Sequence, residues 1–242
     1  MPFFCKSYWP YFPILVHRKT KSAIMELSST HRMNLPKPAE LQTLCKALSV
    51  LEAIFSPEWE YRYYSYNNKW NEGQEFFQMR DGEGNEMLVL FTKSGVVING
   101  FDHELYDYEA KLPAKSELTL NLPVHFNEFI FGEPVASIGT TYCLWTNEQE
   151  EWTVGNIKYK DDGSNDHLYI FDGNPMTYID WVLSYYFDDE LDNLSSEAIE
   201  SVCNIYKGVP LTKEMVLSLN SDLEDWEELK SDISNIGYPI TF

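Results

Sequence analysis

Two short apolar segments, residues 75–80 and 86–91, flank the run Asp81-Gly82-Glu83-Gly84-Asn85, and a third, Val96-Val97-Ile98, follows Lys93-Ser94-Gly95. Connections this short, rich in residues that tolerate positive φ, leave antiparallel pairing as the only arrangement for the segments they join. An aromatic alternation just upstream (Trp59, Tyr61 and Tyr63, with Arg62 and Tyr64 on the other side) reads as a further half-buried strand. Four strands with short turns make a meander. Before it, Pro36-Lys37-Pro38 breaks the chain, and Leu41, Leu44, Leu48, Leu51 and Ile54 recur at helical spacing up to Ser56-Pro57. That helix is expected to cover one face of the sheet.

The remainder divides into three. Residues 103–135 are irregular, with Leu112-Pro113, Leu122-Pro123 and a short apolar piece, Phe126, Phe129 and Ile130, that could form a helical turn. A second β group is expected from strands at 140–146, 151–159 and 167–171, the last two separated by a polar turn at 161–166. From Pro175 the pattern is helical: Met176, Ile179, Val182, Leu183 and Tyr186 share a stripe. Ser195 then caps a helix carrying Ala198, Ile199, Val202, Cys203 and Tyr206, with Gly208 as its stop. Helical segments at 212–219 and 223–233 follow, the last with Leu223, Trp226, Leu229 and Ile233 inward. The expected class is α+β: an antiparallel β meander with a leading helix, a second β group and a helical C-terminal region.

With 44% apolar and 15% aromatic residues in 242, the chain can build a sizeable core and is no acidic disordered tract. Residues 1–34 read as an N-terminal extension, with Met25 and Met33 as alternative starts, and 35–242 as a single domain with a possible sub-boundary near 103–135. Net charge is −20, and it is uneven: 7 basic and 5 acidic residues in 1–60 against 3 and 13 in 181–242. Such acidity disfavours nucleic-acid backbones and anionic membranes as partners. No apolar run suits a membrane span; the longest near the start, residues 11–16, is followed by His17-Arg18-Lys19. Cys5, Cys45, Cys143 and Cys203 are scattered without a CxxC pair, which suits reduced thiols in a cytoplasm and no disulfide framework.

Catalytic motifs are scarce. There is no P-loop, GxGxxG, GxSxG or HExxH. Gly82 and Gly84 sit between strands rather than before a helix, and the 161–166 run lacks the glycine and terminal acid of a calcium loop. Neither a metal nor a cofactor is expected. Asp102-His103-Glu104, after a strand end, is the best polar cluster, since an imidazole between carboxylates can titrate near neutral pH; His125 and His167 could add to it. Neighbouring residues point in different directions, so the cluster reads first as a turn and only second as an enzyme site.

Binding is better represented. Trp145, Glu148, Glu150, Glu151 and Trp152, with Asn147 between them, combine aromatics and acids across an expected hairpin turn. Tyr185, Tyr186, Asp188, Asp189, Glu190 and Asp192, with Phe187, do the same at a helix end. Aromatic anchors rimmed by carboxylates suit a basic protein partner, with charge accelerating the encounter.

Several segments carry a resemblance: Ser56-Pro57-Glu58-Trp59-Glu60-Tyr61-Arg62-Tyr63-Tyr64, Gly100-Phe101-Asp102-His103-Glu104, residues 141–145 followed by Trp152-Thr153-Val154-Gly155, Asp180-Trp181 with Tyr185-Tyr186, and Ile236-Gly237-Tyr238-Pro239. Over roughly residues 35–242 the chain resembles a family of uncharacterised acidic bacterial cytoplasmic proteins. That resemblance implies no catalytic residue. In acidity, α+β character and tryptophan content it is also similar to SUKH-type toxin-immunity proteins, which implies a cytoplasmic immunity protein that neutralises a toxin or effector domain by binding it. An enzyme using Asp102, His103 and Glu104, or a regulatory adaptor, are the alternatives.

Overall fold

The computed structural model describes residues 26–157, 161–187 and 194–242. Helix α1, Pro38–Phe55, starts on a proline whose missing N–H costs nothing in the first turn, and Glu40 accepts the Lys37 amide at 3.3 Å. Strands β1 (Tyr64–Asn71), β2 (Gln74–Arg80), β3 (Glu86–Thr92), β4 (Gly95–Phe101), β5 (Tyr142–Thr146) and β6 (Trp152–Val154) form one antiparallel sheet in sequence order. The expected second β group is therefore the continuation of the first. β5 pairs with β4, Gly100 opposite Tyr142 and Val97 opposite Trp145, so the irregular 102–141 stretch is an excursion between neighbouring strands.

That excursion holds three short helices, α2 (Lys115–Leu118), α3 (Asn127–Phe131) and α4 (Val135–Ile138). They place Phe126, Phe129, Ile130 and Val135 on one face of the sheet, against Phe76, Leu88, Leu90, Val97, Cys143 and Trp145. After β6 come α5 (Ser164–Leu168), α6 (Pro175–Phe187), α7 (Ser196–Tyr206), α8 (Lys213–Leu219) and α9 (Trp226–Ile236). With α1, helices α6 to α9 cover the other face and enclose the larger core.

Three local expectations are corrected. Residues 167–171 are helical, not a strand: Asp162 accepts the Ser164 amide at 3.0 Å to open α5, and His167, Leu168, Ile170 and Phe171 are buried at three- and four-residue spacing. The alternation at 59–63 is a 3-10 turn, Trp59–Tyr61, before β1. Its polarity is inverted, with Trp59 and Tyr61 exposed while Arg62 is buried, its guanidinium bound to the Ser56 and Pro57 carbonyls and to Asp232. Those carbonyls close α1 and need donors, which the arginine supplies. Finally, the packed chain extends back into the expected extension: Leu27, Ser28 and Ser29 are buried, and Ser29 bonds Ser164 and Asp162.

The capping expectation at Ser195 stands, its hydroxyl accepting the Ala198 amide at 3.1 Å, and α8 is capped in the same way by Thr212, which accepts the Met215 amide at 3.2 Å. The last helix begins later than expected, at Trp226, where Asp225 accepts the Glu228 amide at 2.9 Å. Among the described residues, Cys45, Cys143 and Cys203 are free thiols, and no helix is long and apolar enough to cross a membrane.

Candidate functional site

Asp102, His103 and Glu104 sit where β4 ends, and their side chains do not converge. Asp102 turns back to accept the amides of Glu104 and Leu105 at 3.0 and 3.2 Å. His103 donates its own amide and its Nδ1–H to Asn85 at 3.0 and 2.9 Å, and its ring packs where a Cβ on Gly84 would come within 3.3 Å. The neighbouring glycine turn is likewise self-contained: Asp81 accepts the amides of Glu83, Gly84 and Asn85. These groups tie loops together at one end of the sheet. His125 is exposed and touches Phe126. His167 is buried with its Nδ1 3.0 Å from the Tyr142 hydroxyl; burial pushes its pKa down against the pull of Asp102, Asp81, Asp166 and Asp162. Among the described residues no group of three or more His, Cys, Asp or Glu is gathered to hold a metal.

The hairpin turn after β5 is acidic but lacks aromatic anchors. Asn147 closes it by accepting the amides of Gln149 and Glu151, both at 2.9 Å, and Glu148, Glu150 and Glu151 are exposed. Trp145 and Trp152, expected to contact a partner, are 2% and 5% exposed. Trp145 belongs to the smaller core, and Trp152 donates its indole N–H to the Pro36 carbonyl at 2.9 Å. Strand alternation explains both: each sits at a position whose side chain faces a covered side of the sheet.

The end of α6 is different. Tyr185 is 44% exposed. Its ring stacks on Trp181 with centroids 5.1 Å apart and 18° between planes, and meets Tyr63 edge-on at 5.0 Å. The hydroxyl reaches the Asp81 carbonyl at 3.4 Å, and burial together with Glu52, Asp81 and Glu83 raises its pKa, placing it beside the acidic β2–β3 turn. Tyr186 turns inward, its hydroxyl 2.7 Å from Glu52. Asp188, Asp189, Glu190 and Asp192 lie outside the described residues.

Beneath this platform lies a residue that the sequence reading passed over. Glu52 of α1 is wholly buried, accepting the Tyr178 hydroxyl at 2.9 Å, the Tyr186 hydroxyl and, at 3.0 Å, the Tyr63 amide. Burial pushes its pKa up to about 7 although every one of these hydrogen bonds pulls it down. A signal was present: Glu52 continues the stripe Leu41, Cys45, Leu48, a place where a solvent-facing acid does not belong.

A groove of about 600 Å³ is lined by β1 residues Ser65, Asn67 and Lys69 and by Trp59 and Trp70; its Arg62 and Asp232 are paired with each other at 2.5 Å. It is mixed in charge, unlike the α6 end. No family model, no curated protein and no solved structure matches the chain.

Proposed function

We propose that the protein works by binding a basic protein partner through the acid-rimmed aromatic end of α6, as a cytoplasmic immunity protein that neutralises a bacterial toxin or effector domain. The observation that carries this reading is Tyr185: a large, half-exposed aromatic, held rigid by stacking on Trp181 and Tyr63, beside Asp81 and Glu83. A pre-ordered aromatic loses little entropy on docking, and surrounding carboxylates pair with Lys and Arg of the partner. Four more acids, Asp188, Asp189, Glu190 and Asp192, follow directly in sequence.

The test reverses Asp188, Asp189 and Asp192 to Lys. The partner is first identified by co-purification from the native host, and its association is then timed. Expected is at least a tenfold slower association at low salt, with the gap to wild type narrowing as ionic strength rises, because steering is screened beyond ~8–10 Å. Stability should change by less than about 0.5 kcal/mol if these acids are surface groups. Unchanged rate and affinity at low salt would reduce the acidic patch to ordinary solvated surface.

A further inference from the structure

We infer that Glu52 is a protonation-controlled clasp for the α6 platform: with its carboxyl neutral the last turn of α6 stays seated, and with the carboxyl ionised that turn opens. Calling the platform a docking face rests on the proposed function; the clasp itself rests only on geometry. One carboxyl joins three elements, α1 through its own backbone, α6 through the hydroxyls of Tyr178 and Tyr186, and the entry to β1 through the Tyr63 amide. Tyr186 lies next to Tyr185, so whatever seats one positions the other.

The two protonation states are finely opposed. The carboxylate finds donors on every side but carries a buried charge, and among the described residues no Lys, Arg or His forms an ion pair with it. The facing groups are phenols: Tyr178, Tyr185 and Tyr186 from α6, Tyr63 and Tyr64 from the β1 entry, and Tyr206 of α7 behind them. Burial pushes all of these up, so they stay neutral and compensate nothing. Arg62, the cation on the neighbouring turn, is committed to the Ser56 and Pro57 carbonyls and Asp232. Farther out, Asp81 and Glu83 act on Tyr185, and Asp172 on Tyr206, adding only negative charge. The neutral acid removes the buried charge and needs one phenol oxygen to accept its proton.

Lifting the last turn of α6 takes away the Tyr186 hydroxyl and lets water reach Glu52, drawing its pKa from about 7 when seated down toward its ordinary value of 4.5. Linkage then fixes the sign. Opening should become roughly tenfold more frequent per pH unit between about pH 5 and 7 and level off above. The platform is firm in mild acid and loosens as the medium turns neutral.

Hydrogen exchange of the α6 backbone amides in the full chain, corrected for the intrinsic effect of pH, reads this directly from pH 5 to 8. We expect the slope and plateau in the wild type and a flat profile in Glu52→Gln, whose amide cannot ionise. A wild-type profile that is flat, or a slope that persists in a folded Glu52→Gln, overturns the clasp. Should Glu52→Gln fail to fold, the carboxyl 13C shift of Glu52 decides instead: a midpoint near 7 supports the clasp and one near 4.5 overturns it. No partner is present in these measurements, so their failure leaves the docking reading standing. Failure of the triple lysine reversal leaves the clasp standing.

Discussion

The two faces of the sheet are covered in different ways. On one, α1 and α6 to α9 lay long amphipathic stripes over Tyr64, Phe77, Met79, Val89 and Ile98. On the other, short helices and cis-proline turns of the 102–141 excursion cover Phe76, Leu88, Leu90, Val97 and Trp145 with ten buried residues in all. The faces also differ in what they bury besides hydrocarbon. Glu52, Arg62, Asp162 and His167 are on the helical side, whereas the buried polar groups of the other face, Asn99, Thr119 and Thr140, are uncharged. Asn99 there donates to the Gly139 carbonyl at 2.9 Å and accepts the Thr140 hydroxyl at 2.7 Å, a network that no pH change disturbs. One face is thus thick and electrostatically poised, the other thin and neutral.

The contrast is broken or sharpened most strongly by emptying each core. Phe77 is fully buried between Tyr64 and Phe171, with ring centroids at 5.8 and 5.9 Å. Phe77→Ala should cost about 3–5 kcal/mol, read from denaturant midpoints, because surrounding helices cannot collapse into the void. Phe129, on a five-residue helix and 6% exposed, should cost about 3 kcal/mol or less when truncated to Ala, since a short segment can settle inward. Equal losses would mean that the excursion is as rigid as the helical layer.

Next in size is the pH effect of Glu52. An acid whose folded value stands above its unfolded value is bound to its proton more tightly when folded. Stability from this group is therefore greatest below about 4.5, declines as pH rises to about 7 and is level beyond. The decline should be about 3 kcal/mol in wild type. Glu52→Gln should remove most of that slope, while Thr140→Val on the other face should leave the wild-type slope between pH 5 and 7 in place after its own loss of stability. A slope unaffected by Glu52→Gln would assign it to other groups.

A smaller effect tests how tightly the helical face is built. A Cβ on Gly100 would come within 1.9 Å of the Tyr142 ring directly across the β4–β5 pair. Gly100→Ala should therefore displace Tyr142 from His167 and cost about 1–3 kcal/mol, visible as a lower melting midpoint. No change would show that this face yields as readily as the thin one.

The legibility of the sequence followed the same division. Stripes on α1 and α6, the Ser195 cap and the turns at 81–85 and 93–95 could be read because each rests on a local rule that tertiary packing also obeys. Of the excursion only the helical turn at Phe126, Phe129 and Ile130 was legible; its other helices are four residues long and carry no period. Residues 167–171 failed for a related reason: a short apolar run fits strand or helix equally until the turn that Asp162 makes with the Ser164 amide is seen. Trp145 and Trp152 looked like anchors because acids surround them in sequence, yet the acids lie in the exposed turn between β5 and β6 while each indole, on its strand, faces a covered side of the sheet. Of the expected site, only Tyr185 is shown as a half-exposed aromatic beside acids, and Tyr186 turned out to serve Glu52.

The smallest expected effect concerns the loop end that belongs to neither core. His103 is half-buried, and its ring makes one hydrogen bond, through Nδ1 to Asn85, while its amide makes the other and survives any side-chain change. His103→Ala should therefore cost about 1 kcal/mol or less, the usual net worth of one such bond. Asp81 keeps closing the β2–β3 turn through three backbone amides, so Tyr185 and the acidic rim beside it should stay in place. Partner association should then match wild type in rate and in salt dependence. Two measurements on one variant suffice, a thermal melt and an association rate at low salt. If the melt is unchanged and association is lost, the functional surface is the Asp102-His103-Glu104 loop and not the α6 platform. If instead stability falls by several kcal/mol, the loop end is as firmly built as the helical face, and the division between a poised face and passive loops fails at this corner of the molecule.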